Sequence, residues 1–450
     1  MKNILIAIRS IFKKGRHNVM KIVSLGIGLA VGLVLIAKVY FEQSYDDFYP
    51  DRDRVYQVWA KYQQNGGELK DYPQTSGGIA PTMQQQIPEI ETVTRYTSFG
   101  DWTFTMTDTK MKYSGRCIIA DSCFFDILPR PMLIGNAKEV LSTPMYVLIS
   151  SRIAKNIGGD VIGKNFTVDN SPGRTMTIGG VFEEVPENSH SRYDVIVSMA
   201  SAGRFMWEGS PTNMLGNDRY ISYVKLHKGV NPLALEEQVR TFVNSYFPPE
   251  EQQKVGLSID FSFHKLDNLH KELPQVKRMT WILSLLAFAL IFTAVMNYIL
   301  IVISSIVNRS KEVAVHKCYG ASENNIHGMM FGEALVHIVL SLILALLLIL
   351  AFRGTVEELL ATSLDSLLLS NGSLVLLGIC ILVFFVSGFM PGSLYARIPV
   401  ASAFRNYREN KRIWKKALLL VQFVATGFLV TMLVFVARQY TFMVNDLSLI

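Results

Sequence analysis

Few of the 450 residues stand at a spacing that could do covalent chemistry. Gly158, Gly163 and Lys164 have the spacing of a phosphate-binding loop, whose backbone amides would cradle a nucleotide. Asn165, however, stands where a Ser or Thr hydroxyl must hold magnesium, and a lone glycine-rich match reads as a turn between strands. There is no H-E-x-x-H, no G-x-S-x-G and no Cys or His pair at metal-ligand spacing. The four cysteines cannot form a disulfide framework, and only Cys117 and Cys123 share a polar stretch, so no redox role is expected. Asp, Glu and His residues are scattered through 42–278 without a recognisable constellation, which makes a membrane-anchored enzyme the weakest functional class. Neither catalytic residues nor metal ligands nor a cofactor is expected in this chain.

The elements around these residues are set by apolar runs. Half of the residues are hydrophobic, the mean hydropathy is +0.25, and 44 Lys+Arg against 37 Asp+Glu give a net charge of +7. Collagen-like, disordered and disulfide-rich secreted chains are excluded. Five uncharged runs, Ile22–Ala37, Met279–Val307, Ala334–Phe352, Ser373–Ala396 and Ala417–Ala437, mostly reach the roughly 20 residues that cross about 30 Å of hydrocarbon. The first is read as a retained span over 22–41, because Tyr40, Phe41, Tyr45 and Phe48 follow it in place of a small-residue cleavage site. Lys21 and Lys38 are expected to snorkel at its ends.

Basic residues orient the chain. Residues 1–21 carry six and no acid, 397–416 carry seven against Glu409 alone, and 353–372 carry only Arg353 against Glu357, Glu358 and Asp365. The amino terminus and the connections 308–333 and 397–416 are therefore expected on the cytoplasmic side of the inner (cytoplasmic) membrane. Residues 42–278, 353–372 and 438–450 are then expected outside, the first as a large periplasmic domain. The positive charge is a topology signal, and no nucleic-acid partner is expected. In 42–278, strands are expected at Arg54–Ala60, Thr103–Met106, Tyr146–Ser150, Thr175–Val181, Tyr193–Val197 and Tyr220–Leu226. Helices are expected at Thr82–Gln86, Arg152–Asn156 and Leu233–Tyr246, giving an α+β domain inserted between the first two spans.

Within the spans, Asn297, His337 and Gln422 are expected to form hydrogen bonds between helices and do not outline a polar path. Gly28 and Gly32, in G-x-x-x-G spacing, suggest close helix packing, and Pro391 is expected to kink or end the fourth span. Residues 2–14 alternate Ile4, Leu5, Ile8, Ile11 and Phe12 with Lys2, Arg9, Lys13 and Lys14 as a basic amphipathic helix suited to a membrane surface. The 29-residue second run is about 43 Å of helix and overshoots the bilayer. It should continue through Arg309, Lys311, Glu312 and Lys317, end at Gly320, and give way to a short second helix capped by Ser322 before re-entry.

This segment resembles the MacB/FtsX-type ABC transporter permeases. Arg309, Glu312, Lys317, Gly320, Ala321, Ile326 and Glu333 occupy the positions of that family's diagnostic stretch. In 42–278, FYPDRDRVYQV (48–58), PEIE (88–91), ADSCFFDILPRPMLIGN (120–136), IGK (162–164) and GGVFEEVPENSH (179–190) look like segments of the two-copy permeases common in Bacteroidetes. The resemblance implies a MacB-like outer domain at 42–278 and an FtsX-like transmembrane domain at 279–396, with spans 279–307, 334–352 and 373–396 and an ATPase-coupling loop at 308–333. A basic connector at 397–416 and a fifth span at 417–437 would follow. The partners implied are a separate cytoplasmic ABC ATPase, which would bind ATP and magnesium, membrane lipid, and a second permease unit in a homodimer or pseudo-dimer.

The resemblance also implies mechanotransmission, in which ATP-driven movement of the partner is carried along the second span to the outer domain for export or extraction of a substrate. A transducer that regulates cell-wall hydrolases or senses antimicrobial peptides, without transport, is the alternative. Setting residue n against n+396 aligns Ala7 with Ala403, Arg9 with Arg405, Arg16 with Arg412, Leu33 with Leu429, Val34 with Val430 and Gln43 with Gln439. With a final span closely followed by the last residue, the chain reads as a first unit plus the opening span of a second.

Overall fold

The computed structural model describes residues 17–169, 171–368, 372–396 and 413–447. The expected amphipathic helix 2–14 and residues 397–412 of the basic connector lie outside them. The chain divides into two compact units: Met1–Gln43 with Pro274–Ile450, and Ser44–Leu273. The helical unit begins with α1 (Asn18–Gln43), longer at both ends than the span expected over 22–41.

Ser44–Leu273 is built on one mixed sheet of eleven strands. These are β1 (Val55–Gln64), β2 (Lys70–Tyr72), β3 (Ile90–Met106), β4 (Lys112–Ala120), β5 (Met132–Ile134), β6 (Tyr146–Ser150), β7 (Asn165–Val168), β8 (Ser171–Phe182), β9 (Val195–Ser198), β10 (Ile221–Leu226) and β11 (Leu257–Lys265). The main path runs β11-β1-β10-β3-β4-β9-β6-β8-β5, with β2 beside β1 and β7 bridging β3 and β8. The β4/β9 and β6/β8 pairs are parallel and the others antiparallel. Each of the six expected strands falls on an observed one. The expected helices correspond to α2 (Ile79–Gln86), α5 (Ser151–Ile157) and the 3₁₀ turn Pro232–Leu235 running into α6 (Glu236–Tyr246), and three short helices accompany them: α3 (Phe124–Ile127), α4 (Ala137–Ser142) and α7 (Pro249–Val255).

The last four residues of β4 (CIIA) and VLI of β6 are apolar without alternation because both faces of the sheet are covered there. On β4, Cys117 and Ile119 face a core with Trp102, Phe104, Phe166 and Met176, while Ile118 and Ala120 face another with Phe124, Phe182 and Tyr223. β6 repeats the division, with Val147 and Ile149 on one side and Leu148 on the other. At the β1/β11 end, α2 and α6 lay Ile79, Met83, Val239 and Phe242 over Val58, Val93, Val224 and Phe261.

The helical unit resumes with α8 (Pro274–Ser304), α9 (Ile306–Cys318), α10 (Glu323–Ala351), α11 (Arg353–Leu360), α12 (Leu364–Leu368), α13 (Ser373–Ala396) and α14 (Ile413–Leu447). Among the described residues four helical stretches are long and apolar enough to cross a membrane: Asn18–Gln43, Pro274–Ser304, Glu323–Ala351 and Ser373–Ser393. The fifth expected span lies inside α14, whose described apolar stretch is Leu419–Met432. Two expectations are corrected and a third is narrowed. The second apolar run is not one uninterrupted rod, because the helix breaks at Ser305 between α8 and α9. Nor is there a short helix before re-entry, since α10 continues unbroken for 29 residues once Ser322 has capped it. Pro391 does not end α13, which runs on to Ala396.

α1 is the hub of this unit. A Cβ added at Gly28 would overlap the Ala294 methyl of α8, and one at Gly32 would overlap Ile291, so the two backbones meet where glycine leaves room. On another side of α1, Gly26 lies against Leu344 and Ser341 of α10, whose hydroxyl donates to the Ile22 carbonyl at 3.1 Å. Gly28→Leu is expected to force α1 and α8 apart and lower the melting temperature of the detergent-solubilised protein, whereas Leu at the open Gly378 should leave it unchanged.

Candidate functional site

The charged residues singled out around 308–333 fall into an inward and an outward group. α9 ends in a Schellman turn: Gly320 has φ +86°, and the Ala321 amide donates to the His316 carbonyl at 3.0 Å. Ser322 then starts α10, its hydroxyl accepting from the Asn325 amide at 3.3 Å. At this crest Lys311, Val315, His316, Cys318, Asn324 and Asn325 are exposed, and Tyr319 is 88% exposed. Glu312, Lys317 and Ala321 are half-buried. Ile326 is buried, and so are Arg309 and Glu333, at 6% each, so these three anchor the segment to the bundle and form no part of its outer face.

Arg309 and Glu333 meet each other. Arg309 Nη2 lies 2.8 Å from Glu333 Oε2, and its Nε lies 3.5 Å from Glu312 Oε2. Glu333 Oε1 lies 3.8 Å from the Lys21 ammonium of α1, which also donates to Asn18 Oδ1 at 3.1 Å. Lys21 is 0% exposed, which corrects the expectation that it snorkels. Lys38 is buried as well, held by Glu42 at 2.7 Å and by the Thr362 hydroxyl at 2.7 Å. Both lysines turn inward because a carboxylate is waiting there, which removes the need to reach a polar interface. One turn beyond Glu333, the buried His337 joins its Nδ1 to the Tyr298 hydroxyl of α8 at 3.2 Å, a hydrogen bond between helices.

The phosphate-loop spacing has the wrong context. Gly158 ends α5 at φ +75°, Gly159 and Gly163 also have positive φ, and the chain continues into β7. The order is helix, loop, strand, the reverse of the strand, loop, helix that offers amides to a phosphate. Asn165 Oδ1 accepts from the Thr177 hydroxyl at 2.8 Å.

The large domain does hold a polar chain that spacing could not reveal. Asp46, fully buried at φ +60°, accepts from His190 Nδ1 at 2.7 Å, and His190 Nε2 meets the Tyr223 hydroxyl at 2.5 Å. With Nδ1–H donating to Asp46, Nε2 accepts from Tyr223. The three residues come from unconnected segments, and no local signal pairs them. Tyr223 is fully buried and burial pushes its hydroxyl well above the ordinary tyrosine range, so it offers no accessible nucleophile; the chain ties the entering segment to the sheet. His190 edges a cavity of about 440 Å³ that also contacts Tyr45, Trp59, Arg116, Arg192 and His270.

The entering and leaving segments of the domain are clasped together. Tyr45 stacks on His270 with ring centroids 3.4 Å apart, and Lys271 bridges Asp47 at 3.2 Å and Asp267 at 2.8 Å. Burial pushes the Asp267 carboxyl up, but its hydrogen bond with Lys271 and the Lys271 and Arg52 charges outweigh this and hold it below the ordinary range. A depressed carboxyl stabilises the fold above its unfolded pKa, and that contribution is lost as pH falls through the folded value. Proteolysis of the 266–273 segment should therefore rise only below about pH 3.8, the ordinary aspartate value, while Asp267→Asn should admit protease already at neutral pH.

Replacing the acid of the Lys21, Arg309 and Glu333 cluster would leave two buried cations facing each other. Glu333→Gln is expected to cost about 3–5 kcal/mol, read as a large fall in melting temperature, against well under 1 kcal/mol for Glu323→Gln at the exposed start of the same helix.

Residues 284–400 match the family model described as FtsX-like permease C-terminal. The chain is similar to the crystal structure of a domain of a protein from Porphyromonas gingivalis described as a permease, with 33% identity over 48% of this chain and 91% of that one, at a TM-score of 0.45. It is similar also to the extracellular domain of the noncanonic ABC-type transporter YknZ from Gram-positive bacteria, with 11% identity over 46% of this chain and 98% of that one, at a TM-score of 0.33. No curated protein matches. The family match over 284–400, together with 33% identity across nearly all of the Porphyromonas gingivalis domain, establishes that the chain belongs to the FtsX/MacB-type permeases.

Proposed function

We propose that this permease works with a separate ABC ATPase that docks on the α9–Gly320–α10 crest from the cytoplasmic side, and that the helical unit carries the resulting movement to Ser44–Leu273. The observation behind this reading is the division of labour at the crest. An aromatic ring exposed at 88%, Tyr319, follows exposed Val315 and His316 by one helical turn and exposed Lys311 by two, on a segment whose other side is anchored by Ile326 and the Arg309–Glu333 pair. An exposed tyrosine with an apolar and a cationic neighbour on a rigid turn has the chemistry of an interface anchor, and it is out of place on a merely solvated hairpin. Glu312, Lys317, Gly320 and Ala321 then shape the docking turn, while Arg309, Ile326 and Glu333 hold it.

The amino terminus and the 397–416 connector would face the same side, with Ser44–Leu273 in the periplasm. The energy comes from ATP and magnesium bound by the partner, and the work is export or extraction of a substrate by movement of the large domain. A second permease unit completes the assembly.

Affinity purification of the full-length protein from its native membrane tests the docking. A P-loop ATPase should be retained by the wild type, and Tyr319→Ala should weaken retention by about tenfold or more without changing the melting temperature. Equal retention by Tyr319→Ala and Gly320→Pro, both folded, would refute docking at this crest.

A further inference from the structure

We propose that Lys21 of α1 is a positioning residue for coupling: through Glu333 it ties the Arg309 end of α9 to α1, so that α1, α9 and α10 move as one body when the crest is displaced. The inference rests on the docking reading above for its functional meaning, but its structural content stands apart from it.

The geometry is that of a shared carboxylate. Glu333 uses one oxygen for Arg309 at 2.8 Å and turns the other towards Lys21 at 3.8 Å, so a single acid on α10 faces cations from two other helices. α1 and α10 are already joined by the Ser341 hydrogen bond and the contact at Gly26. α9 is different, because a one-residue turn at Ser305 separates it from α8. Its buried Val313 and Ala314 supply apolar contact, which has no preferred direction, whereas Arg309 supplies a directional tie. An apolar residue at position 21 would be easier to bury than an ammonium, so the charge there contributes orientation more than stability. Removing Lys21 leaves the Arg309–Glu333 pair intact and the helices folded, while α1 no longer feels the position of α9.

The test has two arms on the full-length protein. In the first, hydrogen–deuterium exchange is followed in Ile306–Cys318 in detergent without any partner. Lys21→Met should raise exchange there several-fold and leave Ser44–Leu273 unchanged, and Lys21→Arg, which keeps the charge, should restore protection. Lys21→Gln, which can still hydrogen-bond Asn18, takes the place of Lys21→Met if the latter does not fold. In the second arm the co-purified ATPase is assayed in nanodiscs. Lys21→Met should retain the ATPase but lose about tenfold of the permease-dependent change in ATP turnover, as remote misplacement does, with Lys21→Arg recovering it. Wild-type exchange in Lys21→Met, or wild-type coupling with the ATPase retained, overturns the role of Lys21. If the wild type retains no ATPase, the docking reading fails, and the exchange arm alone decides whether the tie exists.

Discussion

In the helical unit, one buried carboxylate faces cations from two other helices. Glu333 lies among apolar helices, where an isolated anion would be prohibitive, and it is tolerated because Arg309 and Lys21 approach from two other helices. The consequence is geometric more than energetic. Apolar surfaces can slide past one another, but the Arg309 guanidinium at 2.8 Å from Glu333 gives α9 and α10 a directional contact, while the Lys21 ammonium of α1 faces the other carboxylate oxygen at 3.8 Å. The short, exposed crest beyond them inherits its rigidity from this cluster, from the Gly320 turn and from the Ser322 cap.

The large domain solves a different problem with similar means. Its sheet is buried on both faces, so its central strands need no polar alternation and its core is divided between two layers of side chains. The segment that enters from α1 is fastened by Asp46, His190 and Tyr223, and it is clasped to the leaving segment by Lys271 and the Tyr45–His270 stack. Entry and exit are therefore held together, and displacement of one would be felt by the other.

The polar residues within the helices repeat this theme on a smaller scale. His337 and Tyr298 join α10 to α8, Ser341 joins α10 to α1, and Lys38 joins α1 to Thr362. They cross-link helices whose lipid-facing sides give no directional attraction.

Much of this was legible in the sequence, and the boundary is physical. Six of the strand runs, the glycine that ends α9 and the serine that starts α10 are determined by residues within a few positions of one another, so the chain alone specifies them, whereas the lengths of α1 and α10 exceed what their apolar runs indicate. Gly28 and Gly32 were legible for the same reason, as one face of one helix. The direction in which a charged side chain turns is not local. Lys21 and Lys38 flank an apolar run as snorkelling lysines do, and only the folded bundle brings Glu333 to the first, while the Glu42 beside the second is buried with it. Arg309 and Glu333 carry the pattern of a docking loop, yet tertiary packing turns them towards each other and leaves Tyr319 on the outside. Asp46 and His190 are 144 residues apart and share no motif. The sequence determines which segments are helix, strand and turn, because hydrogen bonding and burial periodicity are short-range. Which charges are paired and which stay exposed is decided by the tertiary structure, because the cost of burying a charge depends on the opposite charge that the fold brings to it.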